Sequence, residues 1–516
     1  MRRFSVKAKA KAKPIQLKKL KPPHTINTAI LFSKQMQLKP VWPGVIYAQH
    51  QIEGIDWMLE QESKGYTVPD KNYVVRGGIL GDEMGLGKTI QALALVVNGR
   101  GENTLIITPL AVRKQWETAA LKAKLNVFTA EKNGWVCANS RRVLGSKAVY
   151  LGHYDKVVAD VRLFQDMDFD RIILDEAHRI RNTQTVTGAN VLKIGARYKW
   201  ALTATPIVNK MDDAVAYLKF IGFLLDSAKW HDSYEQYISS TYLARKISEC
   251  EAPAGLTLPP EPTVDTLNLD FTNEDERKLY DGILDNIETQ WRSAQALNGR
   301  AYQLQKFAIL LRLRQISVNP QIYIRARQKE LFGWTGPTFN LPSRKFVEIA
   351  HLMRAAFDAG ENHRWIIFCQ FHEEMEMLNQ FLKEFDYVGS VLQYHGGLSA
   401  DERNSAIEES NKVSPGAKQD VFLVQLQAGG TGLNLQHYDR IIFVSPWWTS
   451  ALLEQAKGRA VRIGQKNVVK IYWLKLMTEE DRMSIDDFMM NKASEKLDLA
   501  QKFHSLGVSL KSPPVC

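Results

Sequence analysis

Gly81-Asp82-Glu83-Met84-Gly85-Leu86-Gly87-Lys88-Thr89-Ile90-Gln91-Ala92-Leu93-Ala94 sets the architecture of its surroundings. The apolar pair Ile79-Leu80 leads into it. A glycine-rich turn follows, then Lys88-Thr89, then apolar residues at helical spacing. Strand, loop and helix in that order aim backbone N–H groups and the positive end of a helix dipole at one small space, where a phosphate fits. Gly85 and Gly87 allow a tight bend and close approach. Lys88 is placed to reach the β- and γ-phosphates of a nucleotide, and the Thr89 hydroxyl to ligate Mg²⁺. Asp82 stands where the strict pattern G-x-x-x-x-G-K-T has its first glycine.

On either side lie the parts such a loop needs. Upstream, His50 to Trp57 starts a helix with apolar Ile52, Ile55 and Leu59. Its Gln51 carboxamide offers a donor and an acceptor together, as an adenine edge requires; a plain amphipathic helix is the other reading. Downstream, Thr104 to Pro109 is a short buried strand, and Val149 to Val158 has a similar strand-and-turn character. Arg171-Ile172-Ile173-Leu174-Asp175-Glu176-Ala177-His178 reads as a strand buried on both faces, as in a parallel sheet. Its acids lie at the C-terminal end, where open α/β sheets bind ligands. Asp175 can hold Mg²⁺ through water, and Glu176 can orient or deprotonate the attacking water. Trp200 to Pro206 is another buried strand, ending in hydroxyls.

A second strand–helix series begins near Pro342. Its strands are Trp365–Phe368, Val391–Tyr394, Val421–Val424 and Arg440–Val444. Ser399 and Glu402 make a capping box for the helix after His395-Gly396-Gly397. No phosphate loop appears in this half. The helix from Thr449 carries Gln455, then Arg459 and Arg462 at i and i+3 on one face. This half therefore reads as a degenerate copy that donates arginines to a nucleotide held by the first.

Composition agrees with an ordinary globular chain. At 516 residues it has room for about three domains, with 45% apolar and 24% charged residues. It has no run of 18 apolar residues, so no membrane span is expected. Cys137, Cys250, Cys369 and Cys516 show neither metal-ligand nor disulfide spacing, which points to a reducing intracellular compartment. Residues 1–52 hold eleven Lys/Arg and no acid, so the net charge of +11 resides there and the remainder is formally neutral. That arm reads either as a solvated disordered tail or as a nucleic-acid tether or localisation signal.

These motifs, taken together, resemble the Swi/Snf family of superfamily-2 helicase-like ATPases. Asp82 to Gln91 is similar to that family's own phosphate loop. Asp175 to Asn182, Leu202 to Pro206, Gly429 to Leu435 and Gln455 to Gln465 match it in order. Leu313-Arg314-Gln315-Ile316 through Pro320 resembles a family helix between the lobes. Three departures stand out: Ala204 replaces a frequent Gly, Val461 a frequent His, and Trp448-Thr449-Ser450 the usual Trp-Asn-Pro.

The resemblance implies an α/β fold of two RecA-like parallel-sheet domains in tandem with a helical insertion. The expected divisions are 1–40 basic arm, 41–225 ATP-binding lobe, 226–340 helical protrusion and linker, 341–480 second lobe, and 481–516 helical brace and tail. It implies ATP hydrolysis coupled to movement along double-stranded DNA, with Mg²⁺. ATP would be bound by Gln51, Asp82, Glu83, Met84, Gly85, Leu86, Gly87, Lys88, Thr89 and Asp175, with Thr89 and Asp175 on the metal. Glu176, Arg459 and Arg462 would be catalytic. His178, Thr203, Thr205 and Gln455 would couple hydrolysis to movement. Thr108, Tyr154, the loop at Gly396, Thr431 and Trp448 would touch nucleic acid, although Trp448 reads equally as a core residue. A DNA-bound protein cargo and a monomeric state are further expectations. So is a location in the cytoplasm of a bacterial or infected host cell, or the nucleus. A strand-separating DNA or RNA helicase and a viral transcription-associated nucleoside triphosphatase remain the alternatives.

Overall fold

The computed structural model describes residues 38–507, apart from 70, 142, 144, 226–229, 253–256, 272–273, 295–298, 332–335, 415–417, 430–432 and 479–483. Nearly all of the basic arm, and Thr431, lie outside the described residues.

The apolar runs of the first half form an eight-stranded sheet. Its order is Tyr242–Leu243, Gly77–Leu80, Tyr198–Leu202, Arg171–Asp175, Asn103–Thr108, Ala148–His153, Asn126–Glu131 and Gly134–Cys137. Only the last pair is antiparallel. Gly77–Leu80 is buried throughout and Arg171–Asp175 over its first four residues, which is why these strands read as continuous apolar runs rather than alternating ones. Register does the rest. Leu202 pairs with both Leu80 and Asp175, so the phosphate loop, Asp175-Glu176 and Thr203–Thr205 leave adjacent strands at the same level.

The second half forms a six-stranded, all-parallel sheet in the order Thr263–Leu269, Lys470–Leu476, Arg440–Phe443, Arg364–Cys369, Gln419–Gln425 and Val388–Tyr394. It buries apolar clusters on both faces, one around Ile367 and Leu423, the other around Phe368 and Phe422. The capping box forms: Ser399 Oγ accepts from Glu402 N at 3.3 Å and Ser399 N donates to Glu402 Oε2 at 2.7 Å.

The stretch between the sheets supplies the expected helices, Glu274–Ala294, Gly299–Val318 and Pro320–Glu330, packed around Tyr280, Ile283, Ile309 and Tyr323. It also supplies what a purely helical reading omits, one edge strand to each sheet: Tyr242–Leu243 beside Gly77–Leu80, and Thr263–Leu269 beside Lys470–Leu476. Thr263–Leu269 is mostly open to solvent, so it lacks an apolar run.

The last helix, Ile485–His504, connects the two cores. Ser484 caps it by accepting from Asp487 N at 3.0 Å. Near its middle Ala493 joins the second sheet's cluster. At its end Phe503 is fully buried in the first sheet's cluster, with its ring 4.9 Å from that of Tyr242. Among the described residues no helix is long and apolar enough to cross a membrane.

Candidate active site

The phosphate loop is held by backbone pairing on one side. Gly81 N donates to Leu243 O at 2.7 Å and Glu83 N to Arg245 O at 2.9 Å, so the edge strand continues alongside the loop. Gly85 and Gly87 adopt φ of 93° and 79°, the left-handed region that favours glycine. A Cβ on Gly87 would also lie 2.5 Å from Gln51 Nε2. Gly87 is the N-cap of the helix Lys88–Asn98. Lys88 folds back over the loop, with Nζ donating to Asp82 O at 2.7 Å and Glu83 O at 3.3 Å. Burial lowers its pKa, against the opposing pull of Glu176, Asp82 and Asp175. Met84 lies against Gly458 of the second half; Thr89 is half-buried at the helix's second position.

Two loop residues, Asp82 and Glu83, and Gln51 of the upstream helix turn their side chains to the protein itself. The Asp82 carboxylate is fully buried and points away from the phosphate space. Its Oδ1 accepts from Arg245 Nε at 2.9 Å, and its Oδ2 accepts from Arg245 Nη2 at 2.6 Å and Gln91 Nε2 at 2.9 Å. Glu83 Oε2 accepts from Ile247 N at 2.6 Å. What Asp82 and Glu83 turn toward Lys88 is backbone carbonyl. Gln51 spends its carboxamide on the protein: Oε1 accepts from Ala48 N at 3.1 Å and Nε2 donates to Leu86 O at 3.3 Å. His50 Nε2 also bonds Leu86 O, at 3.0 Å.

At the end of the neighbouring strand, Asp175 Oδ2 accepts from Trp116 Nε1 at 2.7 Å and Oδ1 from Glu176 N at 3.1 Å. Glu176 has φ of 51°, a left-handed conformation that costs free energy in a residue with a side chain. Its Oε2 pairs with His178 Nδ1 at 3.3 Å. Burial, reinforced by the Glu176 charge, raises the Asp175 pKa. Burial acts the same way on Glu176, but His178, Lys88 and Arg459 outweigh it and hold Glu176 well down.

The second half closes this space with cations. Arg459 is 3% exposed and within electrostatic reach of Glu176 and Asp175; burial lowers its pKa to about 10. The backbone of Arg462 lies 3.8 Å from where a Cβ on Gly85 would sit. Gln455 Nε2 donates to Thr205 Oγ1 at 3.5 Å, and Thr205 N to Thr203 Oγ1 at 3.2 Å. The structure thus brings together Gln51, residues 82–89, Asp175, Glu176, His178, Thr203, Thr205, Gln455, Arg459 and Arg462.

The donor set fits ATP with Mg²⁺. A left-handed glycine cradle precedes a helix N-terminus, Lys88 stands at its edge, and Asp175 offers a carboxylate.

Among the residues assigned to nucleic acid, two have inward-facing side chains. Thr108 is fully buried, its hydroxyl donating to Pro109 O at 2.7 Å. Tyr154 is 1% exposed, its hydroxyl donating to Asp175 O at 2.7 Å, so it supports the acids from beneath. Both side chains are turned inward, because each closes the end of a parallel strand. Trp448 is half-buried on Trp447 and beneath the Arg314 guanidinium; Gly396 is exposed. Sequence reasoning missed Arg245, 163 residues from its Asp82 partner, and the Trp116 bond to Asp175. No local pattern announces either.

A family model for the SNF2-related domain matches residues 50–322, and one for the helicase conserved C-terminal domain matches residues 345–464. The probable ATP-dependent DNA helicase CHR23 of Arabidopsis thaliana is 27% identical over 500 residues, 89% of this chain and 43% of that protein. The probable global transactivator of Orgyia pseudotsugata multicapsid polyhedrosis virus is 25% identical, covering 88% of this chain and 90% of that protein. The ISWI chromatin-remodeling complex ATPase ISW2 of Saccharomyces cerevisiae is 26% identical, covering 90% and 41%. The chain therefore spans less than half of the plant and yeast proteins and most of the viral one. A solved Sulfolobus solfataricus SWI2/SNF2 ATPase core in complex with dsDNA aligns over 92% of this chain and 100% of that chain at 23% identity, with a TM-score of 0.37.

Proposed function

Because the chain belongs to the SNF2-related family, we propose that it hydrolyses ATP between its two sheets and uses the cycle to move along duplex DNA. One observation carries this reading. Arg459 and Arg462, from the second half, reach the phosphate loop and Glu176 of the first. An ATP site built across two bodies links hydrolysis to their relative movement.

In this scheme the Lys88 ammonium and the N-terminus of its helix bind the β- and γ-phosphates. Thr89 and Asp175 would hold Mg²⁺, which would offset phosphate charge. Glu176 orients a water and accepts its proton as the water oxygen bonds the γ-phosphorus and the bond to ADP breaks. Arg459 and Arg462 stabilise charge on the transferring group, an effect worth on the order of 10³–10⁵ in rate for arginines supplied this way. Gln455 and Thr205 report closure from one half to the other. Opening and closing shift two DNA-gripping surfaces relative to each other. The exposed loop at Gly396 is one candidate grip. The thiols of Cys137, Cys250 and Cys369 are all free, which suits a reducing compartment.

The test is the ATPase rate without nucleic acid and with single-stranded DNA, duplex DNA and duplex RNA, at two salt concentrations. Stimulation by duplex DNA above the others supports translocation. Equal or greater stimulation by single strands or RNA replaces it with a strand-separating helicase.

A further inference from the structure

We propose that Arg314 is a positioning residue for the arginines that complete the ATP site, acting from the helical insertion. This inference rests on the reading that Arg459 and Arg462 act on the transferring phosphoryl group.

Arg314 sits near the end of the insertion helix Gly299–Val318 and is 5% exposed. A guanidinium so deep normally faces a carboxylate. Buried Glu374 and Asp486 lie within electrostatic reach of this one, but its direct neighbours are aromatic faces: its Cζ lies 4.2 Å from the ring centre of Trp447, 5.1 Å from Trp448 and 5.6 Å from Phe371. A cation over such rings is attracted by their quadrupole, more strongly once desolvated. Its Nη2 donates to Gln370 Oε1, while Nε has no hydrogen-bond partner among the described residues.

Gln370, Trp447 and Trp448, three of the groups that Arg314 holds, grip or belong to one loop. Gln370 Nε2 donates to Ser445 O at 3.2 Å and Pro446 O at 3.1 Å. Trp447 and Trp448 follow directly, with ring centres 4.7 Å apart. The loop then enters the helix Ser450–Lys457, which carries Gln455, and the chain continues through Arg459 to Arg462.

A second buried contact grips the same loop. Lys345 Nζ donates to Ser445 Oγ at 2.8 Å, Ser317 Oγ at 3.2 Å and Asp486 Oδ2 at 2.7 Å. Ser317 is one turn beyond Arg314 on the insertion helix, and Asp486 begins the last helix. The insertion, the end of Arg364–Cys369, the helix Arg344–Asp358 and the last helix thus converge on Ser445–Trp448.

A tilt of the insertion helix would drag the loop through Arg314 and Ser317, and the two arginines with it. Catalytic groups tolerate little displacement; about 1 Å can cost on the order of 10²-fold in rate. Arg314 touches no reacting atom, and its effect passes through the Trp447–Trp448 loop.

The experiment compares wild type, Arg314→Met, Arg314→Lys and Arg462→Ala, measuring kcat and KM for ATP at saturating duplex DNA. Rates are taken per active site, counted by binding of a fluorescent ATP analogue. The expected result is a kcat about 10- to 100-fold lower for Arg314→Met, with ATP KM within about twofold. Arg314→Lys, which keeps the cation, recovers part of kcat. A kcat per active site equal to wild type in Arg314→Met, alongside a collapsed Arg462→Ala, would overturn this inference and leave the functional reading standing. An unimpaired Arg462→Ala would remove both. Should Arg314→Met not fold, Gln370→Met cuts the same link, with the same expected split between kcat and KM and the same contrary result.

Discussion

The buried Asp82 carboxylate is met by two parallel N–H donors from Arg245 and a third from Gln91. Removing one member of such a pair leaves the other buried and uncompensated, at a cost of about 3–5 kcal/mol. Asp82→Ala should therefore lower unfolding stability by about that amount in urea titration. Adding Arg245→Met should restore part of the loss; a double variant that adds the two single losses would show that the pair does not interact. Lys88→Ala should abolish ATP turnover. Glu176→Gln should abolish turnover while still binding ATP, and substantial turnover in both would remove their roles. At this scale the sequence reveals groups that act within one short stretch, such as Lys88-Thr89 and Asp175-Glu176. It hides groups that act across it. Arg245, Trp116 and Arg314 reach their partners only through the folded topology, and the inward turn of Thr108 and Tyr154 depends on neighbours that no local pattern names.

Among the elements, buried strands are legible and edge strands are not. Arg171–Asp175 and Arg364–Cys369 announce themselves because both faces are covered. Tyr242–Leu243 is two residues long, and Thr263–Leu269 lies mostly in solvent, so neither shows an apolar run. The far edge of the second sheet has its own fastening. The register between Val388–Tyr394 and Gln419–Gln425 shifts between Val388 and Val391. Asp420 ties this irregularity down, accepting from Ser390 N at 2.9 Å, Ser390 Oγ at 2.9 Å and Ser414 N at 2.9 Å. Burial would raise its pKa, but the Ser414 and Ser390 hydrogen bonds prevail and lower it below the ordinary value of 3.8. A depressed carboxylate stabilises the fold fully above its unfolded pKa and loses that contribution as pH falls through its folded pKa. Asp420→Asn should be less stable than wild type at neutral pH, with the difference shrinking below about pH 4. A difference that stays constant from pH 7 to pH 3 would contradict this.

For the molecule as a whole, the matter is how two sheets come to share one site. The motif order reveals two similar halves, and the placement of Lys88 in one and Arg459 and Arg462 in the other implies that they meet. What holds them together is less visible. The last helix lies at the far end of the chain, yet places Phe503 in the first core, and Lys496 Nζ donates to Asn209 Oδ1 at 3.0 Å. Nothing in its polar-apolar spacing says which of the two cores it serves. Phe503→Ala removes a fully buried ring and should cost about 3–5 kcal/mol, read as a lowered thermal midpoint; an unchanged midpoint would show that the helix end is dispensable.

The central claim, that arginines of the second half complete an ATP site in the first, is tested most directly by Arg462→Ala. Its turnover at saturating duplex DNA is measured together with its ATP affinity. The account predicts turnover lower by on the order of 10³-fold or more, with ATP affinity within a few-fold of wild type. A collapse of ATP affinity with turnover per bound ATP intact would contradict it.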